Sequence, residues 1–388
     1  MPPKILISAG EASGDLYASK LVEAVRARLP EAEFFGCTGP RMRAAGVRTV
    51  VDAASLAVVG LFEVISHIPR IYNEFRKLVR TAESERPDLA ILTDSPDFNL
   101  RVARRLNRLG IPVFYLVAPQ VWAWRRGRLP GMRRSLHHLL CIFPFEEQFF
   151  RTHGIPATYI GHPLAHFVRP ELTKHEFRQL HGLNGAEPVI ALLPGSRHGE
   201  VSRHLPAVLD AAVRIARARP VRFVLALPAG RFVQLPELTY FTERNPAISI
   251  QVIEGATWDV LAWSDIALAA SGTVTVEAAL LGTPMVVFYR VSALSWLAGK
   301  FLVRVPFYSM PNLIAGQAIV PELMQNEMSG ERLAAEALRL LDDDAARAAM
   351  RRGLADVAAR LAAGDDPMGR AAVIIEDFVW QSRENQIQ

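Results

Sequence analysis

Cysteine is scarce in this sequence, which has only Cys37 and Cys141 among 388 residues. Two thiols cannot form a disulfide framework or a four-ligand zinc site. A secretory leader is missing as well, because the apolar run Lys4–Ser8 is soon followed by Gly10 and Glu11. We therefore expect a protein of the reducing cytoplasm without a signal peptide.

Uninterrupted apolar sequence is also rare. The longest nearly uncharged stretch runs from Ile266 to Tyr289 and carries one charge, Glu277. It is long enough for a membrane span, but the turn sequences Ser-Gly-Thr and Gly-Thr-Pro interrupt it. Irregular backbone of this kind is not tolerated in contact with lipid. The stretch therefore predicts a strand, loop, helix, loop and strand of a soluble domain.

Long runs of one charge are absent too. Lys and Arg number 44 against 39 Asp and Glu, which leaves a net charge of +5 and an isoelectric point near 9.4. This mild excess suits a partner that carries phosphate. The basic residues form no long Lys/Arg run, and no aromatic-interleaved sheet motif accompanies them. We therefore expect no nucleic-acid partner.

Hydrophobic residues make up 50% of the chain, enough for the cores of two or three domains. Short apolar runs alternate with helical patterns, which favours parallel sheets covered by helices on both faces. The predicted strands are Lys4–Ser8, Glu33–Gly36, Leu89–Thr93, Val113–Val117, Leu139–Phe143, Thr158–Ile160, Val189–Leu193, Arg222–Ala226, Ser249–Ile253, Ile266–Ala269 and Met285–Tyr289. The sequence thus predicts an α/β protein.

The strand pattern starts twice. KILISAGEASGD and PVIALLPGSRHGE both read as an apolar strand, a glycine-containing loop and the start of a helix, as two separate Rossmann-like sheets would. The polar stretch Phe167–Pro188 lies between them and is a candidate linker. We expect a first Rossmann-like domain at residues 1–168, a second at 169–365, and a final helix at 366–388 that packs back on the first. The sequence from Glu331 onward predicts three helices.

Ligands of open α/β sheets bind beyond the carboxyl ends of the strands, so the loops there are the candidate sites. The first loop includes Gly10, Glu11, Ser13, Gly14 and Asp15. The glycines permit close backbone approach, Ser13 could cap the following helix, and free N–H groups there could bind an anion. The loop matches neither the dinucleotide nor the P-loop motif. A plain capped turn is the alternative interpretation.

Two carboxylates, Asp94 and Asp97, follow the strand that ends at Thr93. Carboxylates held at such a position are typical of a general base, and we take Asp97 as the candidate. The alternative is that one of them caps the helix that follows.

A third loop, APQVWAWRRGR, places two tryptophans beside three arginines. The two tryptophans, Trp122 and Trp124, together with the three arginines could hold a sugar ring and a phosphate, or could stack on nucleic-acid bases. An ordinary packed turn with a solvated basic edge fits equally well.

Two loops of the second half suit a nucleotide. Gly195, Ser196 and Arg197 offer backbone, hydroxyl and guanidinium donors beside a predicted helix start. In the other loop, Gly272 and Thr273 begin a predicted helix and would bind a pyrophosphate, while Glu277 falls one turn later on the same face. A carboxylate there can accept both hydroxyls of a ribose, and an unpaired charge in so apolar a stretch would be costly.

Taken together these motifs resemble the lipid-A-disaccharide synthases, inverting glycosyltransferases of the GT-B architecture with two Rossmann-like domains facing a cleft. The matching segments are AGEASGD, GPRMRAAG, VVGLFEV, DSPDFN, APQVWAWR, FPFE, YIGHP, LLPGSR, the SGT run up to Glu277, FYSMPNLIAG and VPELMQ. They follow one another in register from residue 9 to about residue 325.

The resemblance implies transfer of 2,3-diacylglucosamine from UDP to 2,3-diacylglucosamine 1-phosphate, which gives a β-1,6 disaccharide and UDP. It places the donor nucleotide on the C-terminal domain, on Gly195, Ser196, Arg197, Gly272, Thr273, Glu277 and Asn312. It places the acceptor or catalytic groups on the N-terminal domain, on Glu11, Ser13, Gly14, Asp97, Trp124 and Arg125. Arg197 would also stabilise the departing diphosphate and so act in catalysis. Other UDP-sugar enzymes of this architecture are the alternative, such as a UDP-N-acetylglucosamine 2-epimerase or a peptidoglycan glycosyltransferase.

The loops contain no DxD pair, so we expect no metal and no other cofactor. Both implied substrates carry acyl chains, which predicts peripheral attachment to the anionic cytoplasmic face of the inner membrane. Two apolar stretches with basic flanks are candidates for this attachment, Val58–Leu78 and Ser292–Phe307. Ordinary helix packing explains both stretches as well. The sequence leaves a homodimer open.

Overall fold

The computed structural model describes residues 2–56, 63–230, 235–292, 296, 305–362, 364 and 366–387, without the side chains of 63–68 and 385–387. The chain folds into two compact units. Unit 1 comprises Met1–Pro163 together with Leu361–Gln388, and unit 2 comprises Leu164–Arg360. The sequence predicts domain boundaries at 168 and 365, whereas the compact units divide after Pro163 and after Arg360.

Unit 1 contains a parallel sheet of seven strands in the order β3-β2-β1-β4-β5-β6-β7. Its strands are β1 Lys4–Ala9, β2 Glu33–Thr38, β3 Arg48–Asp52, β4 Leu89–Thr93, β5 Val113–Leu116, β6 His138–Cys141 and β7 Ala157–Tyr159. Its helices are α1 Ala12–Arg28, α2 Pro40–Ala44, α3 Glu63–Glu85, α4 Pro96–Arg108, α5 Leu129–Ser135, α6 Pro144–Thr152 and, at the end of the chain, α16 Pro367–Ile387.

Unit 2 contains a parallel sheet of six strands in the order β10-β9-β8-β11-β12-β13. Its strands are β8 Val189–Leu193, β9 Arg222–Leu227, β10 Ile250–Glu254, β11 Ile266–Ala270, β12 Met285–Tyr289 and β13 Glu322–Met324. Its helices are α7 Leu164–Phe167, α8 Lys174–Leu180, α9 His198–Ala218, α10 Pro236–Arg244, α11 Thr257–Trp263, α12 Thr273–Leu280, α13 Met310–Ala315, α14 Gly330–Asp342 and α15 Asp344–Ala362, the last of which crosses the boundary between the units.

The central strands are apolar because helices cover both faces of each sheet. Every residue of β4, β8 and β11 is buried, which leaves no polar face to alternate with an apolar one. Because these strands are buried along their whole length, they can be recognised in the sequence as unbroken apolar runs. The predicted α/β class with two Rossmann-like sheets is confirmed, and so are the three helices after Glu331.

The stretch predicted as a linker, Phe167–Pro188, proves to be structured. It contains α8, whose first turn is capped by Thr173 and whose Phe177 is fully buried. Asp259 accepts the backbone N–H groups of Glu171 and Leu172 at 2.9 and 2.8 Å, which ties this segment to α11. The polar composition that indicated a linker belongs to the exposed side of a short amphipathic helix.

The final helix α16 belongs to unit 1, where it packs along α1. Its Glu376 pairs with Arg28 of α1, and its Phe378 lies against the rings of Phe114 and His137, at centroid distances of 5.0 and 4.6 Å. Residues from both ends of the chain therefore share one core.

Among the described residues, no helix is both long and apolar enough to cross a bilayer. Of the two stretches predicted to dock on a membrane, Val58–Leu78 lies outside the described residues up to 62, and its side chains are described only after 68. Most of the second stretch, 293–295 and 297–304, lies outside them as well.

Candidate active-site loops in the two units

The candidate loops leave each sheet where its strand order reverses. In unit 1 this point lies between β1 and β4, and in unit 2 it lies between β8 and β11. A crevice forms at such a reversal because the connections on either side run to opposite faces of the sheet. The sequence-predicted residues of both units, with the exception of Asn312 and the Trp124–Arg125 pair, follow these four strands directly.

In unit 1, Asp94 joins the first two loops. Its carboxylate accepts the N–H groups of Gly10 and Glu11 at 2.8 and 3.0 Å. A Cβ on Gly14 would lie 1.6 Å from the Asp94 Oδ2, so a larger residue at 14 could not coexist with this carboxylate. Both glycines of the first loop thus make room for the second loop, which explains why the loop needs them.

The same carboxyl group titrates near neutrality. Burial raises the pKa of Asp94 to about 7, and the N–H groups of Gly10 and Glu11 oppose the shift. The residue also has a positive φ of 49°, which is costly for a non-glycine residue. Asp94 therefore has a structural role: it holds the loop after β1 in shape.

The predicted capping role of Ser13 is wrong. Helix α1 begins at Ala12 and its N-cap is Glu11, which makes no side-chain capping bond. Ser13 lies in the first turn and is exposed, as Glu11 is. The side chains of Glu11 and Ser13 are therefore accessible to a ligand.

Asp15, in the same motif, is buried, in contrast to the exposed Glu11 and Ser13. Its buried carboxylate accepts the N–H groups of Gly39, Arg41 and Met42 at 2.9 to 3.0 Å. It thereby fixes the GPRM segment at the start of α2. The charge that made the first loop conspicuous in the sequence serves the scaffold at this position.

Asp97, the predicted base, is exposed on the first turn of α4, with 68% of its side chain accessible. Its carboxylate binds Arg125 at 3.2 Å and also binds Arg128. It does not cap its helix, whose N-cap is Ser95. The structure thus brings the second and third loops together through an ion pair.

The two tryptophans of the third loop have different environments. Trp124 is 39% exposed and stacks under the Arg125 guanidinium, 4.1 Å from its ring centre. Trp122 is buried and donates its indole N–H to Glu146 at 3.0 Å. Only Trp124 can meet a ligand, so the interpretation in which both rings hold a sugar is wrong for Trp122.

Glu146, in the FPFE motif, is a structural residue that was not among the predicted site residues. Its fully buried carboxyl group accepts the Trp122 indole and the N–H groups of Ile142 and Phe143. Burial raises the pKa of Glu146 to about 7, and those hydrogen bonds oppose the shift. A sequence signal existed, because a glutamate three residues after the N-cap position, as Glu146 is after Phe143, is a helix-capping pattern.

In unit 2, Glu200 shapes the LPGSR loop. Its Oε2 accepts the N–H groups of Ser196 and Arg197 at 3.2 and 3.3 Å, and the Tyr289 hydroxyl donates to its Oε1 at 3.1 Å. Gly195 has a φ of 133°, and a Cβ there would lie 2.7 Å from the Glu200 Cβ. The Arg197 side chain is 74% exposed and therefore accessible to an anion.

His204 holds the other end of that loop. The imidazole is fully buried, and its Nδ1 lies 2.7 Å from the Pro194 carbonyl oxygen. Since this partner can only accept, Nδ1 donates to it, while Nε2 lies 3.0 Å from the Arg290 carbonyl oxygen and 3.1 Å from the Arg290 backbone nitrogen. His204 was not among the predicted site residues, although a polar residue on the apolar face of α9 is a recognisable signal in the sequence.

The loop after β11, the second of the two loops predicted to bind a nucleotide, leads into α12. Gly272 is the exposed N-cap of this helix, and the exposed Thr273 is its first residue. The Ser271 hydroxyl donates to the Tyr308 carbonyl at 2.9 Å, which ties this loop to the FYSMPN segment. Burial raises the pKa of Glu277, one turn into the helix, while a hydrogen bond with the Trp258 side chain opposes the shift.

Asn312 differs from the other predicted donor residues. Its buried amide donates to the Val320 carbonyl and to Glu322, and its oxygen accepts the N–H groups of Ile319 and Val320, at 2.8 to 3.0 Å. All its hydrogen-bonding positions are thus satisfied by the chain. Glu322 also accepts from Tyr308 and Ser309 at 2.7 to 2.9 Å. This arrangement makes Asn312 a brace of the loop rather than a free donor to a ligand.

Within the described ranges, no group of three or more His, Cys, Asp or Glu side chains is placed to hold a metal ion. The expectation that the protein needs no metal stays a prediction.

Two parallel sheets, each with its candidate loops at the reversal of strand order, give the chain the fold of the GT-B class of α/β proteins. The structure of UDP-N-acetylglucosamine 2-epimerase from Neisseria meningitidis bound to UDP-N-acetylglucosamine aligns with a TM-score of 0.63 at 13% identity, covering 97% of this chain and 100% of that one. The structure of the kitacinnamycin glycotransferase aligns with a TM-score of 0.64 at 18% identity, covering 97% and 100%.

Sequence similarity identifies the family. The profile described as lipid-A-disaccharide synthetase matches residues 5–362. The lipid-A-disaccharide synthase of Solibacter usitatus (strain Ellin6076) is 63% identical over 377 residues, which are 97% of this chain and 98% of that protein. The chain belongs to the lipid-A-disaccharide synthase family of glycosyltransferases, enzymes of lipid A biosynthesis. The resemblance stated from the motifs is confirmed.

Proposed function

We propose that the enzyme transfers 2,3-diacylglucosamine from UDP to 2,3-diacylglucosamine 1-phosphate with inversion at the anomeric carbon. The products are the β-1,6-linked disaccharide 1-phosphate and UDP. The observation that carries the donor assignment is the start of α12, where exposed Gly272 and Thr273 are followed one turn later by the half-buried Glu277.

The donor nucleotide would bind unit 2. The diphosphate would accept N–H groups at the start of α12, where the helix dipole favours negative charge. Glu277 would accept the ribose hydroxyls. Gly195, Ser196 and the exposed Arg197 guanidinium, on the loop held by Glu200 and His204, would stabilise the charge on departing UDP. Asn312 would contribute indirectly, by bracing the FYSMPN segment.

The acceptor would bind unit 1, at the exposed start of α1 and beside Trp124. Asp97 would accept the proton of the acceptor's primary hydroxyl as its oxygen bonds to the anomeric carbon and the bond to UDP breaks with its electron pair. Glu11 and Ser13 would contact the sugar, and the buried Gly14 would contribute indirectly, by giving room to Asp94. Arg125 would hold Asp97 in place.

The reaction needs no metal in this proposal, because Arg197 and the helix start supply the positive charge that a divalent ion would otherwise provide. Full turnover in EDTA is expected. Loss of turnover that added Mg²⁺ or Mn²⁺ restores would contradict it.

We further propose peripheral attachment to the anionic cytoplasmic face of the inner membrane, because both substrates carry acyl chains. The intact enzyme should co-float with vesicles that contain phosphatidylglycerol, and less so at high salt. Absence from the vesicle fraction at low salt would contradict the attachment.

One assay tests the reaction as a whole. The pure enzyme is incubated with both acylated sugars, and the disaccharide 1-phosphate is sought by mass spectrometry, with the linkage and anomeric configuration read by NMR. A reaction with UDP-N-acetylglucosamine alone separates the alternatives, because a 2-epimerase would convert it without an acceptor. Formation of an α-linked product would contradict the inverting mechanism.

A further inference from the structure

Arginines are concentrated in one part of unit 1. Between Pro96 and Ser135 the chain has a single acidic residue, Asp97. The arginines of the same segment are Arg101, Arg104, Arg105, Arg108, Arg125, Arg126, Arg128, Arg133 and Arg134. Asp97 pairs with Arg125 and Arg128, and in the part of the chain that the structure describes the others have no carboxylate partner. Such an imbalance is typical of a surface that binds anions.

Three of these arginines line one groove, which we name the arginine groove. It lies between α4 and α5, has a volume of about 230 Å³, and is lined by Arg104, Arg128 and Arg134 around Leu100, Gly131 and Met132. Leu100 and Met132 are buried and give the groove an apolar floor. At about 30 Å³ for each water, the groove has room for a phosphate and part of a sugar ring.

The walls of the groove are fixed to one another. Helices α4 and α5 pack together, and the Asn107 amide donates to the Arg134 carbonyl at 3.1 Å. The Arg104 Nε donates to the Leu100 carbonyl at 3.3 Å, which leaves its two terminal nitrogens for a ligand. Guanidinium groups held in this way bind phosphate through paired hydrogen bonds.

Arg128 connects the groove to the proposed catalytic site. Its guanidinium lines the groove and also binds Asp97. A ligand that places an anion in the groove would therefore have the rest of its body beside the proposed base. The acceptor of the proposed reaction has this form, because it carries a phosphate monoester on one end of the sugar and the reacting hydroxyl on the other.

We propose that the arginine groove binds the phosphate monoester of the acceptor. The inference rests on the proposed function and adds a site that orients the acceptor. A phosphate of a membrane lipid has the same chemistry, so the experiment includes an arm that separates the two sources.

The test compares a groove variant with a control variant that loses two arginines outside the groove. Arg104→Gln combined with Arg134→Gln removes two groove charges, whereas Arg105→Gln combined with Arg108→Gln removes two exposed charges of α4 that do not line the groove. The groove variant should raise KM for the acceptor about tenfold or more and leave KM for the donor and kcat within about twofold. The control should change none of the three by more than about twofold.

Two further measurements identify the ligand. Inorganic phosphate should compete with the acceptor in the unmodified enzyme and compete more weakly in the groove variant. Flotation with phosphatidylglycerol and phosphatidylcholine vesicles should be the same for groove and control variants. If the groove variant alone loses flotation while its acceptor KM in detergent is unchanged, the groove binds a lipid headgroup and the proposal is wrong.

An unchanged acceptor KM together with unchanged phosphate competition would also overturn the proposal. Failure of the proposed function looks different, because the unmodified enzyme and the control variant would then form no disaccharide. In that case, calorimetric titration with inorganic phosphate still tests the groove, since binding by the control but not by the groove variant is expected.

Discussion

Asp94 and Asp97 show how two carboxylates of one short motif acquire different roles. Asp94 is largely buried and accepts two backbone N–H groups, whereas Asp97 is exposed and is bound by two arginines. The proline between them begins α4, so the first carboxylate points back toward the loop after β1 and the second belongs to the helix. The spacing of the motif therefore fixes one residue in the scaffold and presents the other.

Replacement of Asp97 by Asn should abolish most turnover. The amide keeps the size of the side chain but cannot accept the proton of the acceptor hydroxyl, so kcat should fall by about 10²- to 10⁴-fold. UDP binding, measured by calorimetry, should not change, because UDP is assigned to unit 2. Glu83→Gln, at an exposed carboxylate of the same unit, is the control. Normal turnover of Asp97→Asn would show that another group is the base.

Asp94 should make the stability of the protein depend on pH. Its folded pKa of about 7 lies above the ordinary value of 3.8, so the folded state binds the proton more tightly. Its contribution is therefore largest in acid and is lost as the pH rises through 7. Between about pH 5.5 and pH 8 the free energy of unfolding should fall by about 2 kcal/mol on account of this group.

Urea unfolding at several pH values measures this effect. Asp94→Asn should show a smaller decrease over that range than the unmodified protein, and Glu83→Gln should show the same decrease. Equal slopes for all three proteins would contradict the role of Asp94.

At the scale of single residues, the sequence predicted accessible positions better than braced ones. Thr273, Arg197 and Asp97 follow strand ends and are exposed, as their place in the motifs indicates. Asn312 and Asp15 occur in equally conspicuous motifs, yet their side chains bind backbone groups of other segments. Which of the two applies depends on tertiary contacts, such as those of Glu322, that no local pattern contains.

At the scale of elements, helix α9 shapes the loop that precedes it, which we propose to bind the nucleotide. Glu200 and His204 are four residues apart, so they lie on one face of the helix. One accepts the N–H groups of Ser196 and Arg197, and the other donates to the Pro194 carbonyl. Helix α9 thus holds both ends of the loop that precedes it.

Replacement of His204 by Leu should weaken both the fold and UDP binding. Leucine fills the space but leaves the Pro194 carbonyl and the Arg290 N–H without their buried partner, at a cost of about 1–3 kcal/mol for each group. The Kd for UDP should rise about tenfold, since the loop loses one of its supports. Calorimetry and urea unfolding measure the two effects.

His175→Leu, at an exposed histidine of α8, is the matched control for this change. His204→Gln should recover part of the UDP affinity, because its amide can donate to one partner and accept from the other. If His204→Leu loses stability but binds UDP normally, the imidazole does not position the loop.

The position of a strand within its sheet explains whether it could be predicted from the sequence. The strands of the sheet centres are buried runs of apolar residues, and the sequence predicts them to within a few residues. It misses β3, whose Arg48, Thr49 and Asp52 are exposed at the sheet edge, and β13, which has three residues. Edge strands of this kind are specified by pairing with a neighbour, as β13 pairs with β12, and not by their own composition.

At the scale of the whole molecule, unit 1 is completed by residues from the end of the chain. Removal of residues 366–388 would uncover the side of α1 on which α16 packs and would take away the Glu376 and Phe378 contacts. Hydrogen exchange should then become faster in α1 and β5, while α9 and α14 of unit 2 keep their protection. Equal loss of protection in both units would contradict this division of the chain.

The discontinuity of unit 1 has a consequence for its synthesis. The ribosome produces the first 163 residues of this unit, then all of unit 2, and only then the helix that covers α1. Unit 2 is contiguous and can fold as it emerges from the ribosome. In unit 1, by contrast, the apolar face of α1 stays uncovered until translation is nearly complete. The nascent chain therefore carries an uncovered apolar surface, which favours aggregation, in the part that was made first.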